Sequence, residues 1–484
     1  MKRILIFTIY IFTFFSCEDF LEEVPKDRLS EANFYQTLTD AQSAVNGIYG
    51  PLRHSEVYGQ QYQLQLEIPA DYAYGRGSTM PIGGDYQGLD ATNIGRVATK
   101  WAYFYRSINY ANIAIEKISE MGIDESDKTA LTAEALFLRA FCYYNLVRDF
   151  GAVPLRLSST EGDVGRTPVN EVYDAIISDL QIAENDLPSA VTAYGHPSKW
   201  TAKTMLSEVY LTMGNWAASR DKAKEVIDSD VYALIEINTL DDWYNLFGAT
   251  VNGTPEEIFY IKFNHQTGGF RYPAYLLYPG TKWGPYAYYV LYSDPANPFM
   301  MNWDDNDLRK QWDVFTTFEN IETGEIDTLV FPPMQYSKFR DPDAPASDAY
   351  ANDFPIWRYA DVLLIYAEAA DMAENGPSAL ALECLNKIKR RGYGYPSDTP
   401  SPVDYPSSGW TAESFRDTVL LERAYEFMSE GKRWKDLKRS GKAKETILAN
   451  LGIVVADRFM LWPIPQQEIE TNEKISQEDQ NPGY

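Results

Sequence analysis

Apolar residues recur along most of this chain at the three- and four-residue spacing of one helix face. Between Thr39 and Leu52 the stripe is Ala41, Ala44, Val45, Ile48 and Tyr49, the pattern that buries one side of a helix. Trp101 to Ile118 repeats it with Tyr105, Ile108, Ala111, Asn112 and Ile115. Leu131 to Phe150 carries the broadest apolar face, with Ala135, Leu138, Ala140, Phe141, Tyr144 and Leu146. It ends at Gly151, and Pro154 follows, a helix stop signal. Pro168 sits in the first turn of the next predicted helix, Val169 to Leu187, with Thr167 as its N-cap and Pro188 beyond its end. Further helices are predicted over Thr201 to Met213, Trp216 to Ser229, Arg358 to Glu374, Ser378 to Arg391, Thr411 to Ser429 and Trp434 to Leu451.

Two helix pairs share a spacing. Leu206, Tyr210, Gly214, Trp216 and Ala223 fall where a tetratricopeptide hairpin places its small and aromatic packing residues. Leu364, Ala367, Ala369, Gly376, Ala381 and Leu385 imitate that spacing. Such hairpins need neighbours to bury their faces, so a solenoid of a few units is expected. Irregular stretches interrupt it. Residues 55–100 are rich in glycine, and residues 392–409 in Pro, Ser and Tyr. Residues 231–357 form one large insertion with strand-like pieces such as Glu257 to Phe263. The expected class is mostly α, with tetratricopeptide-like hairpins framing an irregular, loop-rich ligand-binding lobe.

The first residues break the pattern. Lys2 and Arg3 precede an apolar run from Ile4 to Phe15, too short to span a bilayer but suited to a signal peptide. Ser16-Cys17 then resembles a bacterial lipobox, which makes Cys17 the lipidated first residue of the mature chain. Behind it, Glu18, Asp19, Glu22 and Glu23 read either as a solvated linker or as a signal for export to the outer face of the outer membrane.

Composition removes several function classes. The 484 residues carry 43 basic and 69 acidic side chains, a net charge of −26. That field repels phosphate backbones, so no nucleic-acid partner is expected. It also makes anionic ligands harder to attract, unless a local basic pocket reverses it. Three His and three Cys leave little for a zinc site or a disulfide framework. His54, His196 and His265 read as isolated surface or turn residues, and Cys142 and Cys384 as small core hydrophobes. Asn302, Asp304, Asn306 and Asp307 faintly resemble a calcium loop but lack its Gly and final Glu, so a helix N-terminal acidic cluster is the preferred reading. No catalytic motif, cofactor fingerprint or metal site is found.

Aromatic residues remain. Eleven lie between Phe270 and Trp303, among them Tyr275, Tyr278 and Tyr292, broken up by Pro273, Pro279, Gly280, Pro285, Pro295 and Pro298. No single helix face can bury them all. A second cluster is Asp71, Tyr72, Tyr74, Arg76 and Tyr86 in the glycine-rich stretch. Tyr and Trp faces stack on sugar rings, while Asp, Asn and Arg supply forked hydrogen bonds to hydroxyls. The residues alone leave two readings open: a ligand platform, or tyrosines packed down as plugs.

The chain resembles the SusD/RagB family of outer-membrane nutrient-binding lipoproteins. The resemblance is carried by Phe20-Leu21-Glu22 and Pro25, by Arg139 with Phe150-Gly151 and Pro154, and by Arg358-Tyr359-Ala360-Asp361 with Ala367-Glu368-Ala369. Glu422-Arg423, Glu426, Glu430-Gly431, Arg433, Asp436-Leu437 and Arg439 match as well, as do Pro463-Ile464-Pro465 and the ending Asn481-Pro482-Gly483-Tyr484. The charged members read as scaffold ion pairs rather than catalytic groups. The resemblance implies a signal peptide over 1–16, a lipidated acidic tether and N-terminal segment over 17–38, and a helical-repeat part over 39–230. A loop-rich ligand-binding insertion over 231–357 and a C-terminal helical part over 358–484 complete one SusD-like domain, 17–484. It further implies a non-enzymatic glycan-binding lipoprotein on the cell exterior, seated on a SusC-like TonB-dependent transporter barrel, with no cofactor. A peptide binder on the same scaffold, a secreted glycoside hydrolase and a helical scaffold without a small ligand are the rivals. The expected ligand surface is Asp71, Tyr72, Tyr74, Arg76, Tyr272, Trp283, Tyr286, Tyr288 and Tyr289. Trp283 ranks first because Gly284 and Pro285 forbid a helix there. Trp101 is excluded as part of a buried stripe.

Overall fold

The helical stripes fold where their periodicity puts them. The computed structural model describes residues 34–77, 83–90, 93–191 and 193–484; Cys17 and the leader lie outside the described residues. Helix α1 (Leu38–Leu52) opens with a capping box in which the Asp40 carboxylate accepts from the Thr37 amide at 2.7 Å. Helices α2 (Gln61–Glu67), α3 (Gly95–Glu120), α4 (Glu125–Phe150) and α5 (Val169–Asp186) follow. Gly151 ends α4 with φ 74°, a conformation that glycine adopts without a Cβ penalty. The N-cap of α5 is Pro168, not Thr167. Helices α6 (Lys199–Met213) and α7 (Trp216–Ile227) make a hairpin turned at the left-handed Gly214, whose Cα faces the Trp216 ring.

After the insertion, which carries the short α8 (Tyr272–Leu276) and α9 (Leu308–Asp313), come α10 (Tyr359–Glu374), α11 (Ala379–Gly392) and α12 (Ala412–Glu426). Packing runs α1, α3, α4, α5, α6, α7, α10 as successive neighbours, and α10 then meets α11 and α12. Each helix buries on the next the stripe it cannot bury alone. Val45, Ile108, Leu138, Phe141, Leu206, Leu364 and Leu385 all join one continuous core.

Two predicted helices are shorter than their apolar patterns. The Thr411–Ser429 segment stops at Glu426, because the buried Glu67 carboxylate captures the amides of Ser429 and Gly431, both at 2.8 Å. The Trp434–Leu451 segment splits into α13 (Arg433–Arg439) and α14 (Ala443–Leu451) at Gly441, φ 76°. There the Lys442 amide returns to the Leu437 carbonyl at 3.0 Å, a glycine-dependent helix end.

The insertion contributes most of the strands. Strands β1 (Tyr74–Gly75), β3 (Leu291–Ser293), β5 (Met334–Tyr336) and β4 (Val314–Phe315) form one antiparallel sheet in that spatial order. Strand β2 (Glu257–Ile261) pairs antiparallel with β6 (Phe354–Arg358), the residues just ahead of α10. β2 ends two residues before the predicted Phe263, whose amide is taken by the Asp353 carboxylate at 3.0 Å.

A buried ionic cluster ties the insertion to the C-terminal helices. Arg358 reaches Glu256 at 2.8 Å, Glu426 at 2.5 Å and Glu430 at 2.9 Å. Arg391 reaches Glu256 at 2.5 Å and also meets Glu426. Arg309 meets Asp307 at 2.6 Å, Glu422 at 2.7 Å and Glu426 at 3.2 Å. Burial pushes the Glu426 carboxyl up, but Arg391, Arg358 and Arg309 push it down further and hold it well below the usual range.

Candidate functional site

Strand pairing brings the two aromatic clusters together. Residues 71–77 and 286–292 are far apart in sequence, yet Tyr74 pairs with Tyr292 and Gly75 with Leu291 across β1 and β3. The Tyr74 and Tyr292 rings stack with centroids 5.5 Å apart. Arg76 extends the ladder, its amide donating to the Val290 carbonyl at 3.0 Å. Its guanidinium lies 3.5 Å from the Tyr289 ring centroid and donates to the Tyr288 carbonyl at 3.4 Å. Tyr288 packs edge-on against Tyr275 at 5.5 Å, and Tyr289 against Tyr278 at 5.1 Å. Tyr286 and Tyr288 remain 42% and 40% exposed.

Beside this platform opens a cleft of about 530 Å³. Its lining includes Gln61 from α2, Arg76, Arg96 from α3, Tyr275 from α8, Val290 and Phe331. Phe331 is 56% exposed and meets the Tyr292 ring at 5.5 Å. A cleft of that volume with aromatic walls and a few convergent polar groups suits a small organic ligand.

Three of the expected ligand residues are turned inward instead. Asp71 is fully buried and held by Arg433 at 2.7 and 2.8 Å and by Asn450 at 2.8 Å. Tyr72 is fully buried, its hydroxyl donating to Glu67 at 2.5 Å. Tyr272 is fully buried too, its hydroxyl donating to the Ser429 carbonyl at 3.1 Å. No surface is left on these side chains for a ligand. The partners that hold Asp71 and Tyr272 lie 362 and 157 residues away, so nothing local in the sequence marks these two, whereas Tyr72 meets Glu67 only five residues back. Trp283 is half-buried rather than displayed in an open turn. Its ring meets Phe315 of β4 at 4.6 Å and, at 4.5 Å, the guanidinium of Arg340 from the segment after β5. Tyr74, Arg76, Tyr286, Tyr288 and Tyr289 stay together at the platform. Cys17 lies outside the described residues.

Sequence reasoning passed over Arg96, Gln61 and Phe331 and left Tyr275 and Tyr292 unranked. Arg96 had one readable signal: it is a base in the first turn of a long helix, where acids are favoured. Exposed Val330-Phe331 before two prolines was a second.

Other candidate chemistry resolves into scaffold. A cavity of about 310 Å³ lies between α4, α6, β6 and α13. Charges on its wall pair with one another or with close neighbours: Arg148 with Glu208 at 3.0 Å, Lys432 with Asp361 at 2.5 Å, Arg439 with Glu368 and Asp436 at 2.7 and 2.8 Å. Two histidines are not isolated. His196 meets Glu134 at 2.7 Å and His265 meets the buried Asp341 at 2.8 Å. Asp307 caps α9 and clamps Arg309. Cys142 and Cys384 are buried. No cluster able to hold a metal ion occurs among the described residues.

The comparisons with known proteins agree on one lineage. A family model described as starch-binding associating with outer membrane matches residues 19–211. A second, described as the SusD family, matches residues 269–484. SusD-like protein P2 of Formosa agariphila is 30% identical over 99% of both chains. The crystal structure of a SusD homolog from Bacteroides thetaiotaomicron superposes with a TM-score of 0.81 at 23% identity, covering 94% of this chain and 99% of that one. A laminarin-binding SusD-like protein superposes with a TM-score of 0.73, also at 23% identity, covering 93% and 100%.

Proposed function

The chain belongs to the SusD family, and from that premise we propose that it is a surface lipoprotein that captures an oligosaccharide without cleaving it. The oligosaccharide is then delivered to a TonB-dependent transporter barrel in the outer membrane. The observation that carries the glycan reading is the β1–β3 pairing. It gathers Tyr74, Arg76, Tyr288, Tyr289 and Tyr292 beside an open cleft. Flat rings at the edge of a cleft stack on sugar faces, and a guanidinium held by a ring and a carbonyl is pre-oriented for forked hydrogen bonds. The laminarin-binding neighbour, of the same fold, supports the glycan class without naming this chain's sugar. Cys17, acylated, is the proposed anchor, since the several chains of a processed lipoprotein hold stably where one binds marginally.

A glycan array run beside a peptide library on the purified mature protein tests the binding. Oligosaccharide binding without release of reducing ends is expected. Peptide binding alone would favour the rival reading, and released reducing ends would make the protein a hydrolase. For the anchor, Cys17→Ala should release the protein from membranes of cells lacking the partner barrel. Retention there after a salt wash would rule the lipid out.

A further inference from the structure

Val290 is the one aliphatic side chain among the described residues that line the cleft. Its direction follows from the strand register. Tyr74 stands opposite Tyr292 and Gly75 opposite Leu291, which sets Arg76 opposite Val290. Residues directly opposite in an antiparallel pair project to one face, and neighbours along a strand alternate. Gly75, Leu291 and Ser293 are buried. Tyr74, Arg76, Val290 and Tyr292 are half-buried and share the other face. That face therefore runs from a stacked tyrosine pair to a pair made of a guanidinium and an aliphatic side chain.

The backbone fixes Val290 in the cleft wall. Its amide donates to the Tyr275 carbonyl at 2.9 Å, and its carbonyl accepts from the Arg76 amide at 3.0 Å. A β-branched side chain has a restricted χ1, so its two methyl groups are held as well. Phe331 adds an exposed aromatic wall to the same cleft, and Val330 beside it in sequence is 90% exposed. Apolar surface rimmed by polar groups, here Gln61, Arg76 and Arg96, is the mark of a ligand cleft. Neither Val290 nor Phe331 has a side-chain donor or acceptor. A sugar hydroxyl pressed against them gives up its water and finds no partner there, whereas a methyl group gains by leaving water.

We propose that the oligosaccharide this site takes carries a methyl group that lies against Val290 and Phe331 while a flat sugar face stacks on the neighbouring tyrosines. The inference rests on the glycan reading above and adds the class of sugar. The methyl is that of a 6-deoxy sugar or of an acetyl group. Both present the same apolar tip and differ in the atom behind it, a ring carbon in the first and a carbonyl carbon, with its own acceptor oxygen, in the second.

Matched probes separate the two sources. L-Fucosyl oligosaccharides are compared with their L-galactosyl twins, which add a hydroxyl at the methyl carbon, and acetylated xylo-oligosaccharides with their deacetylated twins, by calorimetry on the mature protein. The methyl-bearing member of at least one pair should bind about tenfold more tightly, the discrimination an apolar pocket achieves over one small group. The pair that responds identifies the source. Val290→Thr exchanges one methyl for a hydroxyl at nearly constant shape and should remove most of the preference, with a melting temperature near wild type. Equal or tighter binding of the hydroxyl-bearing twin in both pairs overturns the inference and leaves the glycan reading standing. A preference that survives Val290→Thr overturns the placement of the methyl at Val290. If none of these probes binds, the inference fails, and the glycan reading fails with it only when the glycan array also shows no oligosaccharide bound.

Discussion

The molecule holds its cations in two ways. In the cluster around Glu426, three guanidiniums and several carboxylates are buried together, and each arginine meets at least one acid. At the cleft, Arg96 has no ion pair among the described residues, and the Arg76 guanidinium lies against a tyrosine face and donates to a carbonyl. Desolvation penalises buried charge, and the first arrangement contains its own compensation. In a chain with this excess of acid, an arginine that has found a carboxylate is doing structural work.

The sharpest way to break this comparison is to remove the shared acid of the buried cluster. Glu426→Gln leaves Arg309, Arg358 and Arg391 with less charge than they were built around. Chemical denaturation should show a loss of about 3 to 5 kcal/mol, with ligand affinity of the folded fraction unchanged. The pH dependence follows in sign. The folded-state carboxyl lies below its ordinary value of 4.5, so its contribution is complete above that pH and is lost as pH falls below it. Wild type should therefore lose stability more steeply in acid than the Gln variant. A variant as stable as wild type would mean the cluster is not what ties the insertion down.

The opposite sign is expected at the cleft. Lys100 is buried without a carboxylate at ion-pairing distance among the described residues, and its folded value of about 7 lies below the ordinary 10.5. The unfolded chain binds that proton more readily, so stability should rise as pH climbs from about 7 towards 10.5. Lys100→Met should raise the stability at pH 7 by an amount on the order of 2 to 4 kcal/mol and flatten that rise. Thermal melts across the range measure both. A destabilised Met variant would place Lys100 with the structural cations.

What the sequence showed and hid divides along the same line. Helices were legible because a 3.6-residue stripe is a local property: Leu138, Phe141 and Tyr144 mark their face without reference to anything distant. The charged motif residues Arg358, Glu426 and Glu430 were legible as scaffold. The platform was half legible. Loop tyrosines declared themselves by number, but which were plugs depended on partners from other segments, such as Arg433 for Asp71 and the Ser429 carbonyl for Tyr272. Arg96 was only half legible too: a base in the first turn of a long helix could be read, but its place on the wall of the cleft beside Arg76 depends on segments distant in sequence.

Trp283 tests the border between the two classes. Its ring packs on Arg340 and Phe315, so Trp283→Ala should cost about 2 kcal/mol of stability, with affinity for the bound oligosaccharide nearly unchanged. Tenfold weaker binding with an unchanged melt would return it to the ligand surface, where the turn sequence alone had put it.

The smallest effect on stability is expected at Tyr288. Its amide donates to the Ala274 carbonyl at 2.6 Å, and substitution leaves that bond in place. Its ring is 40% exposed and touches Tyr275 edge-on, so little burial is lost when it is removed. Tyr288→Ala should keep stability within about 0.5 kcal/mol. A stacked ring contributes about 0.5 to 1.5 kcal/mol beyond burial, so affinity should fall between about twofold and tenfold. An unchanged affinity would place the sugar away from this ring.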